Sequence, residues 1–236
     1  IAVDSGADVA KEAADVVLLE KSLRILADGI VAGRRTFGNI IKYILNTISA
    51  NFGNMSTVAL SSLFLRFIPL LPSQILLNNL LSDGPLLTIS TDNVDAELLR
   101  RPRRWRLELI TRFMVSFGLL SATFDLLLIG GLLWAVHAGT ALFCTTWVVE
   151  SALSEILVTF AIRTQRPLFR SRPGGWLVLA SALAAAVTLI LPFTAAGQTY
   201  FALAPIPGPV LMFSLAVVLI YCLGAEMAKG AFFRRF

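Results

Sequence analysis

NNLLSDGPLL, from Asn78 to Leu87, is the stretch that decides the fold. It sits inside an apolar run from Pro69 to Ser90, long enough to cross a bilayer at about 20 residues per helical span. Its centre nevertheless carries two amides, a carboxylate and a Gly-Pro pair. Asn79 and Asp83 are four residues apart with Ser82 beside them, so a helix projects all three from one face. Asn78 is predicted to point about 100° away. An acid at the centre of a span costs roughly 2.5 to 3.5 kcal/mol on insertion scales, so something must compensate for Asp83. Pro85 has no N–H, and Gly84 frees the backbone next to it, so a helix break is predicted at Gly84 and Pro85, with the carbonyl of Leu81 losing its partner. Irregular backbone at membrane depth is tolerated where it lines a cavity or meets protein. The pattern therefore predicts an oxygen-lined pocket.

The rest of the chain agrees with a membrane setting. Of 236 residues, 56% are hydrophobic and only 15% charged, and the mean hydropathy is +0.77, outside the range of soluble domains. Six apolar runs are predicted as spans: Phe37 to Leu65, Pro69 to Ser90, Phe113 to Ala138, Ala141 to Ala161, Trp176 to Phe193, and Pro209 to Ala228. The expected fold class is an all-α membrane protein with six transmembrane helices.

Span one supplies a matching polar set. Asn51 and Asn54 are three apart in SANFGNMST, and Gly53 between them allows close helix approach. The connection from Arg66 to Ile68 is short enough to make spans one and two antiparallel neighbours. Amide, hydroxyl, carbonyl and carboxylate oxygens suit a hard cation. With one central carboxylate, magnesium fits better than calcium, because magnesium keeps several waters and uses one or two carboxylates. The metal ligands expected first are Asp83, Asn79 and Asn54. A proton carried on Asp83 is the other physical possibility. In span four Glu155 shares a face with Ser151 and Thr159, as a ligand, a proton relay or a structural hydrogen-bond acceptor. Glu150 is placed nearer the outer end. Asp125, in TFDLLL, is read as structural for want of polar company, and Glu226 is expected to snorkel or to pair with Lys229.

The net charge of +5 could suggest nucleic acid, but placement argues otherwise. Of 20 Lys and Arg, six precede or enter span one, six lie between Asp92 and Arg112, four between Arg163 and Arg172, and three follow Ala228. Only Arg66 falls in a loop of the other parity. This positive-inside pattern predicts a multi-pass cell (inner) membrane protein with both termini cytoplasmic and no nucleic-acid partner. The basic loop TDNVDAELLRRPRRWRLELITR is expected to meet anionic lipid head groups, with a docking strip for soluble domains as its sharper reading. Cys144 and Cys222 lack metal-ligand spacing and are expected to pack. His137 is expected to be an interfacial residue.

The opening IAVDSGADVAKEAADVVLLEKSL reads as soluble structure. Val16 to Leu19 is a strand-type run that cannot cover its own two faces, and Ser22 is a plausible N-cap for a helix carrying Leu23, Leu26 and Ile30 toward the first span. The expected organisation is a soluble remnant at 1–22, a stalk helix at 23–36 and a six-helix membrane domain at 37–236.

These residues resemble the C-terminal part of a P-type cation-transporting ATPase. SGADVAKEAADVVLLEKSL is similar to the end of that family's phosphorylation domain, GRRTFGNIIKYILNTISANFGN to its stalk and fifth transmembrane helix, and LPSQILLNNLLSDGPLL to its sixth. The resemblance implies helices five to ten, with cation ligands at Asn51, Asn54, Asn79, Ser82, Asp83 and Glu155. Asn54 stands where calcium pumps use a glutamate, which points away from calcium. DNVDAELLRRPRRW and RFMVSFG resemble the bacterial magnesium-transporting branch. The string DKTGT and a nucleotide-binding domain do not occur here. The resemblance therefore implies that this chain alone does not hydrolyse ATP, and that its partners are N-terminal pump domains and helices one to four. ATP and Mg2+ would be cofactors of the full-length protein, with Mg2+ also the transported ion. A proton pump, and a free-standing six-helix channel or regulatory protein, are the alternative functions.

Overall fold

The computed structural model describes every residue except Lys21, Arg101, Arg103, Arg235 and Phe236. The chain divides into two compact units, residues 1–38 with 94–104 and residues 39–93 with 105–236.

In the first unit, strand β1 (Ala2–Val3), helix α1 (Asp8–Glu12) and strand β2 (Val17–Leu18) make a minimal crossover. The strands are parallel, with Ala2 opposite Val17 and Val3 opposite Leu18. The strand expected at Val16 to Leu19 thus exists in a shorter form and takes its partner from the first residues of the chain. The same unit holds the first part of helix α2 (Leu23–Ser62), which starts directly after Ser22. The Arg34 guanidinium donates to the carbonyls of Leu99 (2.8 Å) and Arg100 (3.3 Å). These are the last two carbonyls of helix α4 (Ala96–Arg100), so Arg34 caps a helix end that has no further turn to satisfy it.

The second unit is a helical bundle: the rest of α2, then α3 (Pro72–Leu87), α5 (Leu107–Gly130), α6 (Thr140–Ile162), α7 (Gly175–Ile190), the short α8 (Ala195–Phe201) and α9 (Gly208–Phe233). A π turn, Gly131–Ala135, extends α5, and 3-10 turns follow α3 and α7. Among the described residues, four helical segments are long and apolar enough to cross a membrane: Leu107–Ala135, Thr140–Ile162, Gly175–Phe193 and Gly208–Phe233. These correspond to the last four of the six expected spans. α3 has only 16 residues, and both it and α2 carry the polar residues that drew attention in the sequence, so neither meets a criterion of length and hydropathy.

Burial explains how the bundle is organised. The apolar window of α6 is 78% buried, against 22% for α7 and 33% for α9. α6 is therefore the central rod. The outer helices turn Leu183, Val187, Ile190, Leu219, Ile220 and Leu223 outward, as helices facing lipid tails must. Leu128, Leu132, Phe143, Trp147 and Val217 form the principal core, while Phe113 and Phe117 stack with centroids 4.0 Å apart in a second cluster. Several buried hydroxyls return to their own helices. Ser49 donates to Leu45 O, Thr145 to Ala141 O and Thr146 to Leu142 O, which satisfies them without water.

Where α2 crosses α5, two glycines let the backbones approach. A Cβ on Gly118 would lie 2.6 Å from Phe52 Cδ1 and 3.1 Å from Ser49 O, and one on Gly53 would lie 3.0 Å from Ser121 Cβ. At the far end of α6, Lys229 of α9 donates to the carbonyls of Ala161 (2.9 Å) and Arg166 (2.8 Å) and pairs with Glu226 at 2.6 Å. A buried ammonium here satisfies the orphan carbonyls of a helix C-terminus.

Candidate cation-binding site

One cavity of about 20 Å³ lies among five helices and is lined by Asn51, Asn79, Ser82, Asp83, Ser121, Glu155, Thr159 and Tyr221, among others. That is room for roughly the centre of one water molecule or an ion of similar size. The spacing of Asn79, Ser82 and Asp83 on α3 puts all three on its wall, and α2 contributes Asn51 nine residues after Lys42 on the same helix. α5 supplies Ser121, and α9 supplies Tyr221.

Glu155 of α6 is the hub. Its Oε1 accepts from Asn54 Nδ2 of α2 at 2.7 Å, from Asn78 Nδ2 of α3 at 3.0 Å and from Ser151 Oγ at 3.3 Å. Ser151 Oγ also lies 3.4 Å from Asn54 Oδ1. One carboxylate oxygen thereby holds two helices to the central rod, and its three donors are matched to a charged acceptor. Asn78 Oδ1 is buried without a donor, so the amide that steadies Glu155 also presents an unclaimed oxygen.

The charges around this cavity do not cancel. Among the described residues, the ion pairs of the bundle's buried cations run elsewhere: Lys42 and Arg163 to Asp92, Lys229 to Glu226. Asp83 and Glu155 line this cavity together with amides and hydroxyls, and no Lys or Arg is among its described lining residues. Two acids in apolar surroundings with only neutral donors present a site whose missing element is positive charge. Among the described residues no cluster of three or more His, Cys, Asp or Glu is placed to hold a metal, so a bound ion would draw on amide, hydroxyl and carbonyl oxygens as well.

Several expectations need restating. Asn51, Asn79, Ser82, Asp83 and Glu155 line one cavity, whereas Asn54 holds Glu155 instead of lining it. The helix break expected at Gly84 and Pro85 is absent: α3 continues through both to Leu87 before tightening into the 3-10 turn Thr88–Thr91. The proline ring already has a helical φ, so it removes one hydrogen bond donor without forcing the chain out of the helix, and the helix ends two residues later. Asn78, about 100° round the helix from Asn79, donates to Glu155 of α6, a partner the spacing alone does not reveal. Asp125 is not without polar company. Thr57 Oγ1 donates to it at 2.8 Å, and Glu150 and Trp147 of α6 lie close to it. Glu150 is buried within the bundle. Ser121, four residues before Asp125 and in hydrogen-bond contact with Tyr221, was the sequence signal for this second group.

Membrane-length helices around a cavity of paired carboxylates and amides define a cation-handling membrane protein. The chain belongs to the cation-transporting ATPases: residues 67–231 match the family described as cation transporting ATPase, C-terminus, the C-terminal part of P-type pumps. It is similar to the magnesium-transporting ATPase, P-type 1, of Salmonella typhimurium, with 40% identity over 100% of this chain and 27% of that protein. The protein of the same name from Escherichia coli K12 is 39% identical with the same coverage. A calcium-transporting ATPase of Bacillus subtilis is 26% identical over 79% of this chain and 22% of its own length. The chain thus spans about a quarter of the length of the curated relatives it matches.

Proposed function

We propose that this chain is the cation-binding and translocation part of an ATP-driven P-type pump, that its cargo is Mg2+, and that Asp83 is the charged ligand at the centre of the site. In this reading α2 and α3 are membrane helices too, completing six, and their polar residues are the reason they fall short on hydropathy. Asn51, Asn79 and Ser82 supply neutral oxygens beside Asp83, and Glu155 supplies the second carboxylate, steadied by Asn54 and Asn78. The pump works in the cell membrane with both termini of this chain on the cytoplasmic side, in company with N-terminal domains that bind ATP.

The observation that carries the proposal is the pairing of Asp83 with Glu155 in one cavity while Lys42, Arg163 and Lys229 are committed elsewhere. A divalent ion neutralises two carboxylates. Magnesium suits a sparse set, since it retains waters and needs only one or two carboxylates from protein. The full-chain identity to two magnesium-transporting ATPases supports the same choice of ion.

The test is the Mg2+ dependence of ATP hydrolysis and transport by the intact pump carrying Asp83→Asn. Loss of the charged ligand is expected to raise the half-saturating Mg2+ concentration by about 100-fold, the upper range for damage to a metal site's ligand set. An unchanged Mg2+ dependence removes Asp83 from the mechanism.

A further inference from the structure

A second buried carboxylate has the opposite surroundings. Asp92 follows the 3-10 turn at the end of α3, and its side chain is fully buried. Its Oδ2 accepts from Lys42 Nζ of α2 at 2.7 Å and from Arg163 Nη1 at 2.8 Å, just past the end of α6. Its Oδ1 accepts from Arg163 Nη1 at 3.1 Å and from the Gly174 N–H at 2.7 Å, immediately before α7. Both cationic side chains are nearly as buried as their partner, at 6% and 1% exposure. The surrounding backbone joins in. Lys42 also donates to Asn93 O at 2.7 Å, Asn39 of α2 donates to Ser90 O at 2.9 Å and Asp92 O at 3.1 Å, and Arg163 Nη2 donates to Ser171 O at 2.7 Å.

The placement of this knot along the chain gives it meaning. Each helix that brings a carboxylate or amide to the cavity sends one member to the knot. Lys42 lies nine residues before Asn51 on α2, Asp92 nine residues after Asp83, and Arg163 eight residues after Glu155. At 1.5 Å per helical residue that is about 12 to 14 Å from the ligands along α2 and α6, while Asp92 is reached from α3 through the 3-10 turn. Sliding α2 against α3 or α6 by even a fraction of a turn would pull a buried ammonium off its carboxylate, which a low-dielectric interior makes costly. A purely packed interface would lack such a stop.

We infer that Asp92, with Lys42 and Arg163, is a positioning group for the cation site: it fixes the axial register of α2, α3 and α6, and so the spacing of the ligands those helices carry. This rests on the reading of the cavity as the transport site. It acts through helix placement and touches no ion.

The test uses the intact pump with Lys42→Met, Lys42→Arg, Asn39→Ala and, in parallel, Asp83→Asn. Lys42→Met leaves the Asp92–Arg163 pair intact and charge-balanced but unhooks the ammonium of α2. It is expected to raise the half-saturating Mg2+ concentration about tenfold, the lower range for losing ligand orientation, with the maximal rate held within about twofold. Lys42→Arg restores the charge and the donors, and is expected to recover most of the affinity. Should Lys42→Met not yield folded protein, Asn39→Ala, which removes only two bonds to backbone oxygens, carries the same expectation at about threefold. A half-saturating concentration unchanged in Lys42→Met, or in Asn39→Ala where that variant is needed, overturns the inference. If Asp83→Asn has shifted in the same series, the cavity reading survives that result. If Asp83→Asn also leaves Mg2+ dependence unmoved, the cavity reading fails and takes the positioning role with it.

Discussion

Asp83 and Asp92 are nine residues apart on one stretch of chain, and they are compensated in opposite ways. Asp92 is enclosed by an ammonium, a guanidinium and a backbone N–H. Asp83 opens on a cavity that it shares with another carboxylate, Glu155. A buried acid that the protein neutralises with its own cations is part of the scaffold, because removing either partner strands the other. A buried acid left to neutral amides and a second acid is costly until something external arrives. Under the proposed function, that distinction separates the residues that hold the bundle from those that would hold the cargo.

The largest effect that could break the comparison is on stability. Asp92→Asn leaves Lys42 and Arg163 buried side by side without a counter-charge, and is expected to cost about 3–5 kcal/mol. The fall should appear as a lower thermal denaturation midpoint of the solubilised protein, in the absence and in the presence of Mg2+ alike. If Asp92→Asn melts like the parent, the knot is not a scaffold element and the contrast with Asp83 disappears.

A smaller effect sharpens the comparison by moving α2 without touching either acid. Gly118→Ala places a methyl group 2.6 Å from Phe52 Cδ1 and 3.1 Å from Ser49 O. The ring edge can shift but the carbonyl of α2 cannot do so freely, so overpacking is expected to cost about 1–3 kcal/mol. Because Ser49 and Asn51 share that segment, Mg2+ affinity should fall along with the denaturation midpoint. A variant that loses stability and keeps its Mg2+ half-saturation shows that the α2–α5 crossing does not set ligand geometry.

How much of this was legible beforehand follows from which signals are local. The polar faces of α3 and α2 could be read from spacing alone, since Asn79, Ser82 and Asp83 sit on one helix, as do Asn51 and Asn54. The motif set was specific enough to name the family. Cross-helix partners were not legible. The partner of Asn78 was not legible because a helical wheel gives the angle between neighbours but not which flank the central rod will occupy. Asp125 looked isolated in TFDLLL although Thr57, Trp147 and Glu150 close around it from two other helices. Asp92 read as one acid in a mixed-charge loop, and nothing nearby in the sequence reveals that Lys42 and Arg163, 50 and 71 residues away, converge on it. The Gly-Pro pair misled for a different reason: a proline near the last turn of a helix costs one bond, and the packing around α3 absorbs it.

The smallest stability effect expected is also the most discriminating, because its sign is opposite to that of Asp92→Asn. Asn in place of Asp83 keeps shape and hydrogen-bonding oxygen but removes the charge that nothing in the cavity neutralises. The insertion cost of a central acid, roughly 2.5 to 3.5 kcal/mol, must be discounted because Asp83 is only partly buried. A gain of about 1 kcal/mol in the Mg2+-free protein is therefore the expected outcome. Saturating Mg2+ should raise the denaturation midpoint of the parent by mass action and leave that of Asp83→Asn nearly where it was, since only a state that binds the ion is stabilised by it. A destabilised Asp83→Asn, or one that responds to Mg2+ as the parent does, would place Asp83 with Asp92 among the scaffold acids and leave the cavity without its charged ligand.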